Sequence, residues 1–137
     1  MNANIVHLKT NSVHRALVID DDKFMLTVLE DMLRDLGVVH ITTATSGTAG
    51  IQAYDRAAQV PDVVLCDLSM PQSDGFDFME QLSTRRFGGG IILVSGMDAR
   101  TLNSASLMAR FHRLNILATL AKPVDASALA SALSKLK

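Results

Sequence analysis

The stretch "DVVLCDLSMPQSDG" (residues 62–75) decides the fold, because an apolar run passes directly into an acid, Asp67. Residues 63–66 are typical of a strand that is buried on both faces, and the proline and Asp-Gly pair after Asp67 are typical of a loop. An isolated ionised carboxylate is costly to bury. Asp67 must therefore lie at the exposed end of its strand or beside a positive charge.

Short apolar runs alternate with stretches of helical spacing along the chain. The apolar runs cover 16–20, 38–44, 62–67, 90–95 and 115–121, and the helical stretches cover 22–36, 47–58, 75–85, 99–114 and 125–136. This strict alternation predicts an α/β domain in which a five-stranded parallel sheet carries helices on both faces. Ligands of such folds bind at the carboxyl ends of the strands, so the residues directly after each strand are the functional candidates.

The composition argues against several classes of protein. Of the 137 residues, 48% are hydrophobic and 20% are charged, which is typical of a globular domain. A net charge of -1 gives no support for binding to nucleic acid or to an anionic membrane surface. No apolar run approaches the roughly 20 residues of a membrane span. The single cysteine, Cys66, cannot form an internal disulfide, which favours a cytoplasmic location.

Polar side chains follow four of the five predicted strands. The acids 20–22 follow the first strand, Asp67 ends the third, Ser95 ends the fourth, and Lys122 and Pro123 follow the fifth. Taken singly, each is more typical of a helix cap, a turn or a loop hydroxyl than of a site. Because the fold brings these strand ends to one edge of the sheet, together they predict a shared site.

Carboxylates that share a site need a positive charge. Two like charges about 4 Å apart repel by about 4 kcal/mol at an effective dielectric of about 20. The sequence offers two partners, Lys122 and a divalent cation. A cluster of Asp without His or Cys indicates Mg²⁺, which prefers carboxylates, waters and phosphate oxygens. Acid, metal, hydroxyl and amine around Asp67 are suited to handling a phosphoryl group.

Four segments in order along the chain resemble the signatures of the receiver domain of two-component response regulators. They are "ALVIDDDKFML" (16–26), "DVVLCDLSMPQSDGFDFME" (62–80), "IILVSG" (91–96) and "LAKPVD" (120–125). The resemblance covers roughly residues 15 to 136. It implies the (βα)5 flavodoxin-like receiver fold, with a flexible N-terminal lead-in at 1–14 and the receiver domain at 15–137.

The resemblance also implies roles for the strand-end residues. Asp67 matches the phosphoacceptor, whose carboxylate attacks phosphorus to form an aspartyl phosphate. Together with Asp67, the acids Asp20 and Asp21 match the group that holds Mg²⁺, with Asp21 as a direct ligand and Asp20 acting through water. Ser69 matches the position that supplies a backbone carbonyl to the metal.

The remaining matches surround the expected phosphoryl group. Ser95 matches the residue whose hydroxyl binds a phosphoryl oxygen, and Lys122 matches the lysine that pairs with the acid and then with the phosphate. Pro123 follows that lysine, often through a cis bond in this family. Asp74-Gly75 matches the turn beyond the phosphorylation site.

Two positions depart from the family pattern. Thr119 stands three residues before Lys122, where many receivers carry Tyr or Phe, so the usual inward swing of an aromatic ring cannot operate here. Gly96 stands where Ala is common, which predicts a looser loop after the fourth strand. Neither departure removes a group needed for phosphorylation.

The resemblance implies a phosphorylation-dependent switch that accepts a phosphoryl group from a sensor histidine kinase or a histidine phosphotransfer protein, without turnover of a separate substrate. Its output surface would be the predicted fourth helix, fifth strand and fifth helix, which would bind an effector or a second copy of the chain. The alternative is a degenerate receiver that binds partners without phosphate chemistry. A phosphatase of the haloacid-dehalogenase type fits poorly, because it would need a second Asp at position 69.

A looser resemblance covers 95–124. This segment is similar to receivers attached to EAL-type cyclic-di-GMP phosphodiesterases, which implies such a domain as one candidate effector.

Overall fold

The computed structural model describes residues 13–71, 74–96 and 110–136, in which five parallel strands form one sheet with helices against it. The strands are β1 (Arg15–Ile19), β2 (His40–Ala44), β3 (Val63–Asp67), β4 (Gly90–Ser95) and β5 (Asn115–Ala121). The helices are α1 (Lys23–Asp35), α2 (Gly47–Arg56), α3 (Asp74–Thr84) and α4 (Ala126–Leu133). The predicted α/β fold with a five-stranded parallel sheet is confirmed.

The sheet order β2-β1-β3-β4-β5 explains the burial of each strand. All five residues of β3, the central strand, are buried, whereas only the last residue of the edge strand β2 is. The chain runs outward from β1 to one edge and from β3 to the other. The crevice between the carboxyl ends of β1 and β3 is therefore the switch point where ligands of this fold class bind.

Alternate residues of the strands feed two separate cores, one on each face. On one face Val18, Leu65 and Val94 pack with leucines of α1 and α4, and on the other Val64, Cys66 and Leu93 pack with Phe78, Met79 and Leu82 of α3. This packing explains why the strands read as continuous apolar runs instead of alternating ones. The predicted apolar stripe of α3 is confirmed.

Capping residues fix the ends of the helices close to the predicted positions. The Asp22 carboxylate accepts from the Phe24 and Met25 amides at the start of α1. Gly37 follows the end of α1 with φ 97°, a left-handed conformation that glycine adopts without steric penalty. Asp125 caps α4 by accepting from the Ala128 amide.

Among the predicted boundaries that differ from the structure, three have a local reason. Strand β2 begins at His40, two residues late, because the Val38 amide donates to the Leu33 carbonyl in the cap of α1. Helix α2 ends at Arg56 because Ala57 is extended. Residues 111–113 form a turn, so the helix predicted over 99–114 does not reach Leu114; its residues up to 109 lie outside the described part of the chain.

Strand β5 contains a bulge that its sequence does not reveal. Ile91 pairs with Ile116 but Ile92 pairs with Ala118, so Leu117 is an extra residue. Leu117 and Ala118 both pack on the α1/α4 side, and the later residues of β5 change face as a result. The Leu117 carbonyl accepts from Lys135 Nζ at 3.1 Å, which satisfies a backbone group beside the bulge.

No helix in the described part of the chain has the length and apolar character required to cross a membrane.

Gly75 allows α3 to start directly against the end of β3. A Cβ atom at this position would lie 2.5 Å from the Asp67 carbonyl oxygen and 3.2 Å from Leu68 Cα. These neighbours are backbone atoms, which cannot rotate away. A side chain at position 75 would therefore force α3 away from the Asp67 loop.

We expect Gly75→Ala to lower the free energy of unfolding by about 1–3 kcal/mol, because overpacking a tight contact costs this much even where helix propensity improves. Urea denaturation measures the change. Gly88→Ala is the matched control, since a Cβ there would have no atom within 4 Å, and its effect should stay within about 0.5 kcal/mol. Equal effects of the two variants would contradict the steric role of Gly75.

Candidate functional site

The carboxyl ends of β1 and β3 bring three acids together. Asp20 follows β1 and is completely buried, Asp67 ends β3 with 2% of its surface exposed, and Asp21 is exposed. Each of the three offers a carboxylate oxygen, and these oxygens lie within 4.8 Å of one another. The parallel register of β1 with β3, in which Ile19 pairs with Cys66, places the acids side by side.

Both oxygens of the Asp67 carboxylate have a donor. The Ser69 backbone amide donates to Oδ1 at 2.8 Å, and Lys122 Nζ donates to Oδ2 at 3.0 Å. Lys122 reaches the site from the end of β5, where its own backbone amide donates to the Ser95 carbonyl at 2.9 Å. The Lys122–Pro123 peptide bond is cis, as the resemblance implied.

The ammonium of Lys122 also contacts the second buried acid. Lys122 Nζ lies 3.0 Å from Asp20 Oδ2 and forms an ion pair with this acid as well. The other oxygen of Asp20 accepts from the Asp22 backbone amide at 2.9 Å. At 3 Å and an effective dielectric of about 20, each ion pair is worth about 5 kcal/mol before desolvation. One ammonium thus holds two buried carboxylates that would otherwise repel each other.

Burial and charge act in opposite directions on these groups. Burial raises the pKa of Asp20, and the nearby Asp67 raises it further, against the lowering by the Asp22 amide and Lys122. Partial burial lowers the pKa of Lys122, but its interactions with Asp20 and Asp67 outweigh this, and the net shift is upward. The lysine is therefore firmly protonated in the folded chain.

The donor set fits a divalent metal ion. Three carboxylates and one ammonium leave two negative charges uncompensated when all are ionised. Asp20 Oδ2 is buried and lies 3.0 Å from Lys122 Nζ, and a carboxylate oxygen has room for a second contact, so it can also accept from a metal-bound water. All ligand atoms are oxygens, which suits Mg²⁺ rather than Zn²⁺.

The other predicted site residues lie at the rim. Ser69 follows Asp67 by two residues and contacts it through the backbone amide. Ser95 is the last residue of β4 and is half-buried, and within the described residues no hydrogen bond joins its hydroxyl to Asp67. The structure therefore groups the three acids, Ser69 and Lys122, with Ser95 adjacent through its main chain.

Thr119 lies beside Leu93 of β4. Its hydroxyl oxygen is buried and has no hydrogen-bond partner among the described residues. The position where many receivers carry an aromatic ring therefore holds a buried hydroxyl that is unpaired in this structure.

Two contacts of the site loop were not predicted from the sequence. Asp74 Oδ2 accepts from the Gly47 amide at 2.6 Å, which links the start of α3 to the start of α2. Asp74 and Gly75 are the first residues of α3, so this pair belongs to a helix rather than to the predicted turn. The Ser69 hydroxyl accepts from the Gly96 amide at 2.6 Å. The unusual glycine at position 96 was the only sequence signal for the second contact.

The fold and the site together define the class of this protein. It is a doubly wound α/β domain with buried acids and a lysine at its switch point. The family model described as "response regulator receiver domain" matches residues 16–134, and the chain belongs to this family. Its acids and Lys122 lie at the positions that the signatures indicated.

Individual relatives agree with this assignment. A chemotaxis protein CheY of Thermotoga maritima is 26% identical over 121 residues, covering 88% of this chain and 95% of the relative. The receiver domain protein of Clostridium thermocellum has a solved structure with a TM-score of 0.74 and 25% identity, covering 90% of this chain and 93% of that one.

A third relative is much longer. A protein-glutamate methylesterase/protein-glutamine glutaminase of Natronomonas pharaonis is 43% identical over 68 residues, which is 50% of this chain and 19% of the relative. The chain thus spans less than a fifth of that relative's length.

The raised pKa of Asp20 gives a prediction with a defined sign. A folded state that holds a proton more tightly than the unfolded chain loses stability as pH rises from the unfolded pKa, 3.8, through the raised folded pKa. Above that pH window the ionised Asp20 carboxylate lowers the free energy of unfolding. We therefore expect Asp20→Asn to raise the free energy of unfolding at pH 7 and to flatten its dependence on pH in that window.

Urea denaturation at several pH values measures this effect. Asp31→Asn, which changes an exposed acid of α1, is the matched control and should leave the pH profile unchanged. A profile of Asp20→Asn that runs parallel to that of wild type would contradict the assignment.

Proposed function

We propose that this receiver domain is a phosphorylation-dependent switch in which Asp67 accepts a phosphoryl group from a phosphohistidine donor. The observation that carries the proposal is the position of Lys122 Nζ, 3.0 Å from carboxylate oxygens of both Asp20 and Asp67. A partly buried lysine between two buried acids is an expensive arrangement for stability alone, since an apolar trio of similar volume often folds as well. An ammonium between two carboxylates is useful where an anionic group must bind next to an acid.

The chemistry is a displacement at phosphorus by a carboxylate. An oxygen of Asp67 forms a bond to phosphorus as the bond from phosphorus to the imidazole nitrogen breaks, and the imidazole leaves with the electron pair. Lys122 neutralises negative charge on the phosphoryl oxygens as they approach, which is the main barrier for an anionic nucleophile. The Ser95 hydroxyl, at the end of β4, donates to a phosphoryl oxygen after transfer.

Asp20, Asp21 and the backbone carbonyl of Ser69, with Asp67, would hold Mg²⁺. The bound ion supplies charge neutralisation and orients the phosphoryl oxygens. Asp21 is exposed and free to act as a direct ligand, whereas the Asp20 carboxylate is buried and partly engaged with Lys122, which suits contact through water.

The donor and the effector are proposed from the family. A sensor histidine kinase or a histidine phosphotransfer protein, in the cytoplasm, supplies the phosphoryl group. The output is a change in the surface that includes β5, α4 and the segment before β5. This change favours binding of an effector domain or formation of a homodimer. A cyclic-di-GMP phosphodiesterase domain is one candidate effector. The chain turns over no separate substrate, and assists only its own phosphorylation and dephosphorylation.

A degenerate receiver that only binds partners is the second candidate. Loss of the acids or the lysine would favour it, but Asp20, Asp21, Asp67 and Lys122 are all present and converge in one place.

We expect ³²P to pass from a labelled phosphohistidine protein to the wild-type chain in the presence of Mg²⁺, and not to Asp67→Asn, because the amide is not a nucleophile at phosphorus. Asp31→Asn, an exposed acid away from the site, serves as control and should be labelled like wild type. Acid-stable but base-labile label on Asp67 supports the proposal. If the wild-type chain stays unlabelled with several donors, this result would favour a degenerate receiver that only binds partners.

Mg²⁺ binding is expected to depend on Asp21. We predict that Asp21→Asn weakens Mg²⁺ binding by about tenfold or more, since it removes one ionised ligand from a small site. Titration of ¹⁵N-labelled protein, read from the amides near positions 21 and 67, measures the affinity. Asp31→Asn again serves as control, and an unchanged affinity in Asp21→Asn would exclude it as a ligand.

A further inference from the structure

Ser69 joins two loops at the site through two hydrogen bonds of opposite direction. Its backbone amide donates to Asp67 Oδ1 at 2.8 Å, and its hydroxyl oxygen accepts from the Gly96 backbone amide at 2.6 Å. Gly96 directly follows Ser95 at the end of β4. One residue thus links the carboxylate of Asp67 to the main chain that leaves β4.

The close approach depends on the glycine. A Cβ at position 96 would lie 3.2 Å from Ser69 Oγ and 3.8 Å from Ser69 Cβ, and the shorter contact is tight for a carbon and an oxygen. Gly96 has a negative or extended φ, so the glycine is not required by backbone conformation. Its missing side chain instead makes room for the hydroxyl.

The hydroxyl is a weaker acceptor than the group expected beside it. A phosphoryl group carries a charge of about -1.5 to -2 at pH 7 and three strong acceptor oxygens. A hydrogen bond to such an oxygen is about twice as strong as one to a neutral acceptor. The Gly96 amide and Asp67 Oδ1 are both hydrogen-bonded to Ser69, so a phosphoryl group on Asp67 would lie close to the Gly96 amide.

We propose that the Ser69 hydroxyl is a placeholder for the phosphoryl group: it holds the Gly96 amide in the resting state and releases it to a phosphoryl oxygen when Asp67 is phosphorylated. The inference rests on the proposed phosphorylation of Asp67. The Gly96 amide exchanges the Ser69 hydroxyl for a phosphoryl oxygen as its acceptor. Charge added at the end of β3 thereby moves the main chain that follows β4. Ser69 is a positioning residue in this exchange, since it acts through the Gly96 amide.

Removing the placeholder should favour the phosphoryl-bound state. A hydrogen bond of this kind is worth about 0.5–1.5 kcal/mol, so we expect Ser69→Ala to bind beryllofluoride with Mg²⁺ about two- to tenfold more tightly than wild type. Ser69→Thr keeps the hydroxyl and should restore the wild-type affinity. Ser131→Ala removes an exposed hydroxyl of α4 and is the control for hydroxyl loss elsewhere.

The Gly96 amide gives a second readout that does not need phosphorylation. In ¹⁵N-labelled resting protein, Ser69→Ala should move the Gly96 amide proton upfield and speed its exchange with solvent, and Ser69→Thr should not. In wild type, beryllofluoride should move the Gly96 signal further than any change at Ser131.

The outcomes separate this inference from the proposed function. Failure of wild type to bind beryllofluoride or accept phosphate would overturn both, whereas binding by wild type with equal affinity in Ser69→Ala would overturn the placeholder alone. Weaker binding in Ser69→Ala would also overturn it, because the hydroxyl would then support the phosphoryl-bound state. A Gly96 amide that is insensitive to Ser69→Ala in the resting protein would exclude the hydrogen bond itself.

Discussion

The ion pair of Lys122 with two buried acids is the interaction on which the rest of the site depends. Asp20 is fully buried and Asp67 almost so, and neither position is tolerable for a charged group without a cation. Lys122 follows β5 and reaches the acids at the ends of β3 and β1, so four neighbouring strands, β1, β3, β4 and β5, must be in place for both acids to be compensated. Fold and site are thus coupled through one amine.

Much of the fold could be predicted from the sequence because the pattern of the strands and the pattern of the helices agree. The strands are apolar on both faces, so they read as short continuous runs, and the helices carry leucines at helical spacing that pack on those faces. The site followed in the same way. Parallel strands share one carboxyl edge, so the alternation of elements placed Asp20, Asp67 and Lys122 at that edge, and the strand order brings them into contact.

The features that the sequence did not predict depend on a shift in strand pairing and on contacts between residues that are distant in the chain. The bulge in β5 lies within the run "NILATLA", where every candidate residue is apolar or small, so no alternation marks Leu117 as the extra one. The bond from the Gly47 amide to Asp74 joins residues 27 positions apart, and so does that from Gly96 to Ser69. A serine and a glycine each have many local uses, and only their juxtaposition reveals this one.

Position 119 carries threonine where many receivers carry an aromatic ring, so the proposed path from the site to the surface cannot use a ring at this position. A ring in those receivers signals by occupying or leaving a cavity, whereas Thr119 is β-branched and short, and its buried hydroxyl has no hydrogen-bond partner among the described residues. A buried unpaired hydroxyl costs about 1–3 kcal/mol, which is comparable to the difference between two states of a switch. Because position 119 carries no ring, the proposed change in this chain is instead a displacement of the main chain after Ser95. Gly96 lies where that displacement would begin, held at present by a single hydroxyl from the loop of the nucleophile.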